Sequence, residues 1–419
     1  MPETDPAPLA TLEDWLRYLE HGHDVAIDLG LERVRSVWVA LGAPHPGRQV
    51  VTVAGTNGKG STVHALEALA RAHGISVATT TSPHLQHFNE RIRIDGAAVE
   101  DQKIVAAFKR IEAARCRACV SLTYFEAAIL ASLLVMAEAA PDLAILEVGL
   151  GGRLDAVNII DADLMVITPI ALDHQAWLGD DLEAIGAEKA GILRAGRTCV
   201  LTDAAPPESV LERAAILASP VLRIGDAFAI QNGTYRGLHD AKISKLANYQ
   251  VHPSALAGAL AAFEGLGRVP EADATQRALA SLSVPGRMQR VDYNGQRFLL
   301  DVAHNPHAAE ALGRRIANLG RIHLVFGAFA DKDAGGMLAP LAEHLASTTL
   351  VPTPGARGAP AHVLSEVAQT LHLPRITAAE SVASGLHQAA RYAHADDWVV
   401  ICGSFTVVGA ALTVLGVQV

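Results

Sequence analysis

The chain has 419 residues, 50% of them hydrophobic, 19% charged and 5% aromatic, with a formal net charge of −10. That length calls for more than one hydrophobic core; the apolar content excludes a disordered chain, and the acidic balance excludes a general nucleic-acid binder, which needs a basic stripe. Four cysteines, Cys116, Cys119, Cys199 and Cys402, do not make a disulfide framework, and the Cys116–Cys119 pair lacks the second pair or the histidine of a zinc site.

In chain order, the opening MPETDPAPLATLEDW is acidic and lacks the basic and apolar regions of a signal peptide, so a cytoplasmic protein is expected. Gln49–Ala54 is apolar and β-branched and predicts a strand, followed by a glycine-rich turn and a helix over about 62–72. Further strands are expected at 76–80, 143–148, 164–168 and 198–202. A second alternation runs through 298–303, 322–326, 348–351 and 398–402, with helices at 308–319 and 381–392. Strands alternating with helices predict an α/β fold with parallel sheets covered on both faces. Pro285-Gly286 supplies a turn and hinge, which divides the chain into a larger domain, 1–284, and a smaller doubly wound domain, 285–419. From Trp398 to Val419 there is no charged residue, but Gly403, Ser404, Thr406 and Gly409 interrupt the run. That pattern predicts a buried strand leading into a core helix, with no membrane partner.

The strongest local signal is VTVAGTNGKGST, residues 51–62. Glycines let the backbone aim its N–H groups at phosphate oxygens, the following helix adds its dipole, and Lys59 adds a positive charge. Thr56, Asn57, Gly58, Lys59, Gly60 and Ser61 are therefore candidate nucleotide-binding residues, with Ser61 or Thr62 placing a hydroxyl near magnesium. The spacing departs from Walker A: Val53 stands where the first glycine belongs, and Gly60 separates the lysine from the hydroxyls.

Polar residues then recur at strand ends, the edge where doubly wound sheets bind ligands. Glu147 closes an apolar strand and needs a metal or a cation, Arg153 being the alternative partner. Asp155, Asp173 with His174, and Glu188-Lys189 follow on glycine-punctuated turns. Ser82-Pro83-His84 and Asn89-Glu90-Arg91, with Phe88 between them, suit an aromatic, anionic ligand. In the second domain Asp301, His304 and Asn305 end one strand and Asp331-Lys332-Asp333 another, so a site in a cleft between the domains is expected.

The motifs GTNGKGS, TSPHLQHFNERI, SLTYFE, LEVGLGGRLDAVNI, LDHQAWLG, EKAGIL, PGR, DVAHNPHAA, DKD and CGSF, in this order, resemble the bacterial dihydrofolate synthase/folylpolyglutamate synthase family of the Mur ligase superfamily. The resemblance runs from IDLGLERV near residue 30 to CGSF near 403. It implies a P-loop-containing Mur-ligase-type central domain with a second, smaller Rossmann-like domain. The implied reaction joins L-glutamate to dihydropteroate, or adds further glutamates to reduced folates, at the expense of ATP and through an acyl phosphate. The resemblance further implies two magnesium ions, held by Ser82, Glu147, His174 and a carbamylated Lys189, with Lys59, Glu147, His174 and Lys189 as the catalytic set. Arg287 and Asp301 would join the loop residues on ATP. Asp28, Leu29, Gly30, Leu31, Thr123, Tyr124, Phe125, Glu126, Leu154, Asp155 and Ala156 would hold the pterin, and His304 and Ser404 the incoming glutamate. Its partners would be these small molecules alone, acting on a monomer.

The chain departs from the family at Ser254, near the expected adenine-side asparagine, and at Met288, where an aromatic is usual. Folylpolyglutamate synthesis alone, a Mur-type ligase acting on a UDP-sugar peptide, and a P-loop NTPase switch are the alternatives; the TYFE and DLGL segments speak against the UDP-sugar ligase. Lys59, Arg91, Arg153 and Arg287 are expected to form a basic pocket on an otherwise acidic surface.

Overall fold

Runs such as QVVTVA and LAILE are apolar without alternation, the signature of strands covered on both faces. In the computed structural model, which describes residues 9–238, 241–244, 246, 250–355 and 357–419, these runs form the centre of an eight-stranded sheet. The first eight residues, part of the acidic opening, lie outside the described residues. The strands are β1 (Gln49–Ala54), β2 (Val77–Thr80), β3 (Ile92–Ile94), β4 (Ala97–Ala98), β5 (Leu143–Glu147), β6 (Leu164–Ile167), β7 (Thr198–Leu201) and β8 (Val221–Arg223), in the order β4-β3-β2-β5-β1-β6-β7-β8. All neighbours pair in parallel except β2 with β3 and β3 with β4. The chain leaves β1 toward β2 on one side and later fills β6 on the other, so the strand order switches at β1, where the glycine loop begins.

The helix after β1 spans Lys59–Ala72, starting three residues earlier than the sequence pattern indicates. Gly58, in the left-handed region at φ 93°, turns the chain directly into the first helical position at Lys59. The Tyr124–Ala139 helix is apolar all round and buried from Glu126 to Met136, as a core helix must be. The antiparallel β3–β4 hairpin turns on Asp95-Gly96, both at positive φ. A small antiparallel sheet, β9 (Ala229–Gln231), β10 (Thr234–Arg236) and β11 (Lys242–Ile243), lies outside the alternation expected from the sequence.

The chain divides into two compact units. The second holds β12 (Gln289–Tyr293), β13 (Gln296–Leu300), β14 (Ile322–Phe326), β15 (Leu345–Leu350), β16 (Ile376–Ala378) and β17 (Trp398–Cys402), ordered β12-β13-β17-β14-β15-β16. Only β12 is antiparallel, joined to β13 through Asn294-Gly295. The uncharged stretch becomes β17, fully buried, and the helix Phe405–Val414. No helix among the described residues is long and apolar enough to cross a membrane.

Besides Ser283–Val419, the second unit includes Pro83–His87 and residues 250–251, which a single division near 285 would leave in the first domain. Gln86 Nε2 donates to Thr413 Oγ1 (3.1 Å) and the Val417 carbonyl (2.9 Å). A Cβ on Gly409 would lie 2.0 Å from the Leu85 carbonyl oxygen, so this approach is open only to glycine.

Candidate active site

The glycine loop is tied down from beneath. A Cβ on Gly55, at φ 140°, would come 1.8 Å from Thr168 Oγ1, so the loop lies against the exit of β6. Thr56 Oγ1 donates to the Ala171 carbonyl (3.1 Å) and accepts the Ala171 N–H (3.0 Å). Lys59 Nζ folds back to donate to the Gly55 and Thr56 carbonyls, each at 3.1 Å. Lys189, 3% exposed, donates to the same Gly55 carbonyl at 3.0 Å. Burial, and then the charge of Lys59, bring the Lys189 amine down to about 7. Of the two hydroxyls, that of Thr62 donates to the Gly58 carbonyl within the helix, which leaves Ser61 for a ligand.

Glu147, 5% exposed at the end of β5, accepts the Ser82 N–H at 3.1 Å. A Cβ on Gly60 would stand 3.6 and 3.7 Å from its two carboxylate oxygens, so the carboxylate faces the glycine loop. Its alternative partner is engaged elsewhere: Arg153 donates to Glu188 Oε1 through two nitrogens at 2.8 and 3.0 Å. Asp173 Oδ1 accepts the His174 backbone N–H (2.8 Å) and lies 3.9 Å from His174 Nε2. Among the described residues, no group of three or more His, Cys, Asp or Glu side chains is arranged around one metal position. What the loop and strand ends do provide is hard oxygen, from Glu147, Ser82 and Ser61, the chemistry that suits magnesium beside phosphate.

A second set of polar groups surrounds the start of the Tyr124–Ala139 helix. Thr123 and Glu126 form a capping box, with Glu126 Oε2 accepting the Thr123 N–H at 2.7 Å. Arg33 donates to Glu126 (2.9 Å), the Asp28 carboxylate (2.7 Å) and the Asp28 carbonyl (2.8 Å). His23 bridges Asp28 (3.1 Å) and Ser121 (2.8 Å). Neither His23 nor Arg33 stands out in the sequence; Arg33 sits inside the IDLGLERV run, and its role shows only once residues 93 apart meet. Leu29, Gly30 and Leu31 are half-buried beside Asp28. Arg91 lies over the rings of Phe88 (5.5 Å) and Tyr124 (5.8 Å), which meet edge to face. Asp155 accepts N–H groups from Gly149, Leu150 and Val157 at 2.9–3.0 Å, and burial pushes its carboxyl up to about 6. It holds its own loop, flanked by half-buried Leu154 and buried Ala156, while the Phe125 ring packs so close that a Cβ on Gly149 would come 2.4 Å from it.

In the second unit, Asp301 uses both oxygens on backbone: Oδ2 accepts the Met288 N–H and Oδ1 the Ala303 N–H, each at 2.9 Å. This pins the Pro285-Gly286-Arg287 turn to the end of β13, and Met288 packs in the core below. Arg287 and the His304 ring each lie 5.6 Å from the Phe405 ring, a residue that only its place in CGSF marks. Ser404, 1% exposed, caps the Phe405–Val414 helix by accepting the Val407 N–H at 3.2 Å. Ser254 likewise serves a helix start, its hydroxyl bonded to His252 Nδ1 at 2.8 Å. The basic pocket read from the sequence is thus distributed. Lys59 and Arg91 stay at the loop and the rings, Arg153 is ion-paired and half-exposed, and Arg287 belongs to the second unit.

Comparison with known proteins places these features in a family context. Residues 286–405 match the model of the Mur ligase glutamate ligase domain. The chain is 40% identical to the dihydrofolate synthase/folylpolyglutamate synthase of Escherichia coli K12, over 98% of this chain and 97% of that one. It superimposes on E. coli FolC in complex with DHPP and ADP with a TM-score of 0.92, covering 97% and 98% of the two chains at 40% identity. A bifunctional folylpolyglutamate synthase/dihydrofolate synthase with Mn, AMPPNP and L-glutamate bound gives a TM-score of 0.90 at 40% identity, covering 97% and 98%.

Proposed function

We infer the reaction from one premise: the chain belongs to the dihydrofolate synthase/folylpolyglutamate synthase family of Mur ligases. It is an ATP-dependent ligase that forms an amide between L-glutamate and dihydropteroate and extends reduced folates with further glutamates. The folate-side carboxylate attacks the γ-phosphorus of ATP, giving an acyl phosphate and ADP. The amine of glutamate then attacks the activated carbonyl and phosphate leaves. No side-chain nucleophile takes part.

The observation that carries this reading is Glu147, a buried carboxylate facing the phosphate loop with Arg153 paired elsewhere. Gly58, Gly60 and the first turn of the Lys59–Ala72 helix cradle the ATP phosphates together with Thr56, Asn57 and Ser61. Lys59 leaves its loop carbonyls to meet the transferring phosphoryl group. Glu147, Ser82 and His174 would hold magnesium, which would supply charge neutralisation on the phosphates. Lys189 serves as a carbamate in this reading: burial brings its amine down to about 7, and the neutral amine adds carbon dioxide with loss of one proton. Asp28, Thr123, Glu126 and the Phe88–Tyr124 rings take the pterin end. In the second unit, Arg287 and Asp301 are assigned to ATP, and His304 and Ser404 to glutamate. The enzyme works as a cytoplasmic monomer.

Phosphate release tests this, measured with ATP, magnesium and glutamate plus either dihydropteroate or a reduced folate. Release is expected only when acceptor and glutamate are both present. Lys59→Ala and Glu147→Gln should each lower kcat by about 10²–10³. Release without an acceptor would favour an NTPase switch, and activity on the reduced folate alone would remove the dihydrofolate synthase half.

A further inference from the structure

Two residues at the edges of the motifs have no part in the reaction as written. Asn158 closes LDAVN, Arg194 follows EKAGIL, and the two side chains meet. We propose that Arg194 and Asn158 are positioning residues for phosphoryl transfer, holding Lys189 in place against the phosphate loop. This rests on the reading that Lys189 takes part in the chemistry.

Lys189 is held at both ends. Its Nζ donates to the Gly55 carbonyl at 3.0 Å. Its backbone lies in the last turn of the Leu182–Ala190 helix, and that turn is fastened to the segment after β5 on either side of the lysine. Before it, the Glu188 carbonyl accepts the Arg153 N–H at 2.9 Å. After it, the Gly191 carbonyl accepts from Asn158 Nδ2 at 3.2 Å, and the same amide donates to the Arg153 carbonyl at 3.0 Å. The two segments touch backbone to backbone. A Cβ on Gly152 would stand 2.8 Å from the Glu188 carbonyl oxygen and 3.0 Å from that of Lys189, and one on Gly191 would stand 2.3 Å from Arg153 Cβ.

Arg194 locks this contact. One terminal nitrogen donates to the Ile192 carbonyl (2.9 Å), the other to the Asn158 carbonyl (3.1 Å) and to Asn158 Oδ1 (2.9 Å). The planar fork therefore spans the turn and the segment after β5 at once, which a point charge cannot do. With Oδ1 accepting from Arg194, Nδ2 is the end of the buried Asn158 amide that faces the Arg153 and Gly191 carbonyls. The remaining partner, Asp161, is exposed and adds little. Loss of the fork frees the root of Lys189, and a misplacement of about 1 Å at a reacting centre costs roughly 10²-fold in rate. Both residues thus act through Lys189.

The test is a double-mutant cycle on the full-length enzyme, reading kcat and both KM values from phosphate release with ATP, magnesium, glutamate and dihydropteroate or a reduced folate. Arg194→Ala should lower kcat about 10–100-fold with the KM for ATP and for the acceptor unchanged. Asn158→Ala should do the same, and carries the cycle if Arg194→Ala does not fold. Millimolar guanidinium should restore part of the kcat of Arg194→Ala and none of that of Asn158→Ala. Lys189→Ala should be slower still, and adding Arg194→Ala to it should cost nothing more, because the residue being positioned is gone. A loss of equal size with and without Lys189 would mean that the arginine serves the fold at large. That result overturns the proposal, as does full kcat in both Arg194→Ala and Asn158→Ala. If Lys189→Ala itself keeps full kcat, the reading of the reaction fails, and the proposal with it.

Discussion

Lys189 is an amine placed where an amine is costly: 3% exposed, beside a second ammonium, with one carbonyl between them. Its pKa falls from 10.5 to about 7 on folding. Between those values the unfolded chain keeps a proton that the folded chain has released, so this residue makes stability rise with pH across that window; below pH 7 its full penalty applies. Lys189→Met should therefore raise Tm in CO₂-free buffer at about pH 6, and the gain should fade toward pH 10. A gain independent of pH would show that the buried charge is not its source. The same residue should reveal its chemistry in activity, because bicarbonate should stimulate the wild type but not Lys189→Ala, and short carboxylic acids should partly rescue the variant. At Cys119 the backbone is left-handed (φ 54°), so Cys119→Gly should add about 1 kcal/mol of stability in urea unfolding.

At the scale of elements, Arg33 fastens the loop before the Glu32–Ala40 helix to the capping box of the Tyr124–Ala139 helix. Arg33→Met leaves Glu126 buried without its cation and should cost about 3 kcal/mol. Adding Glu126→Gln should recover most of the stability. The acceptor KM should stay raised, by about tenfold, with the ATP KM unchanged. If KM recovers along with stability, Arg33 has no positioning role. This pair also marks the limit of what the sequence discloses. The glycine loop, the strand-end Glu147 and the central strands are legible because each is a local pattern, carried by a few adjacent residues. Arg33–Glu126 and His23–Ser121 join residues more than 90 positions apart, and no spacing rule reports them. The hairpins at Asp95-Gly96 and Asn294-Gly295 lie between. Their turn residues are written plainly, but the strands beside them, such as AA and QRVDY, are too short or too polar to register as core strands. The early start of the Lys59–Ala72 helix likewise follows from the φ of Gly58 and not from any apolar period.

For the whole molecule, the two units do not correspond to two uninterrupted stretches of chain. Pro83–His87 belongs with residues from Ser283 onward, anchored by Gln86 to Thr413 and Val417. Removing residues 413–419 should raise hydrogen exchange at 83–87 while leaving the amides of β1 and β5 protected. Equal loss of protection in both would mean that the tail supports the whole fold and not that segment.

That arrangement also has a consequence in time. Gln86 precedes Thr413 by 327 residues, so at ribosomal speeds it emerges roughly 20–60 s before its partner exists. During that interval β3 to β8 emerge and complete the first sheet, while Leu85 and its neighbours wait for the docking that synthesis permits last. Refolding of the full-length chain should keep the same order, with the first sheet regained early and the Gln86–Thr413 closure setting the slowest phase.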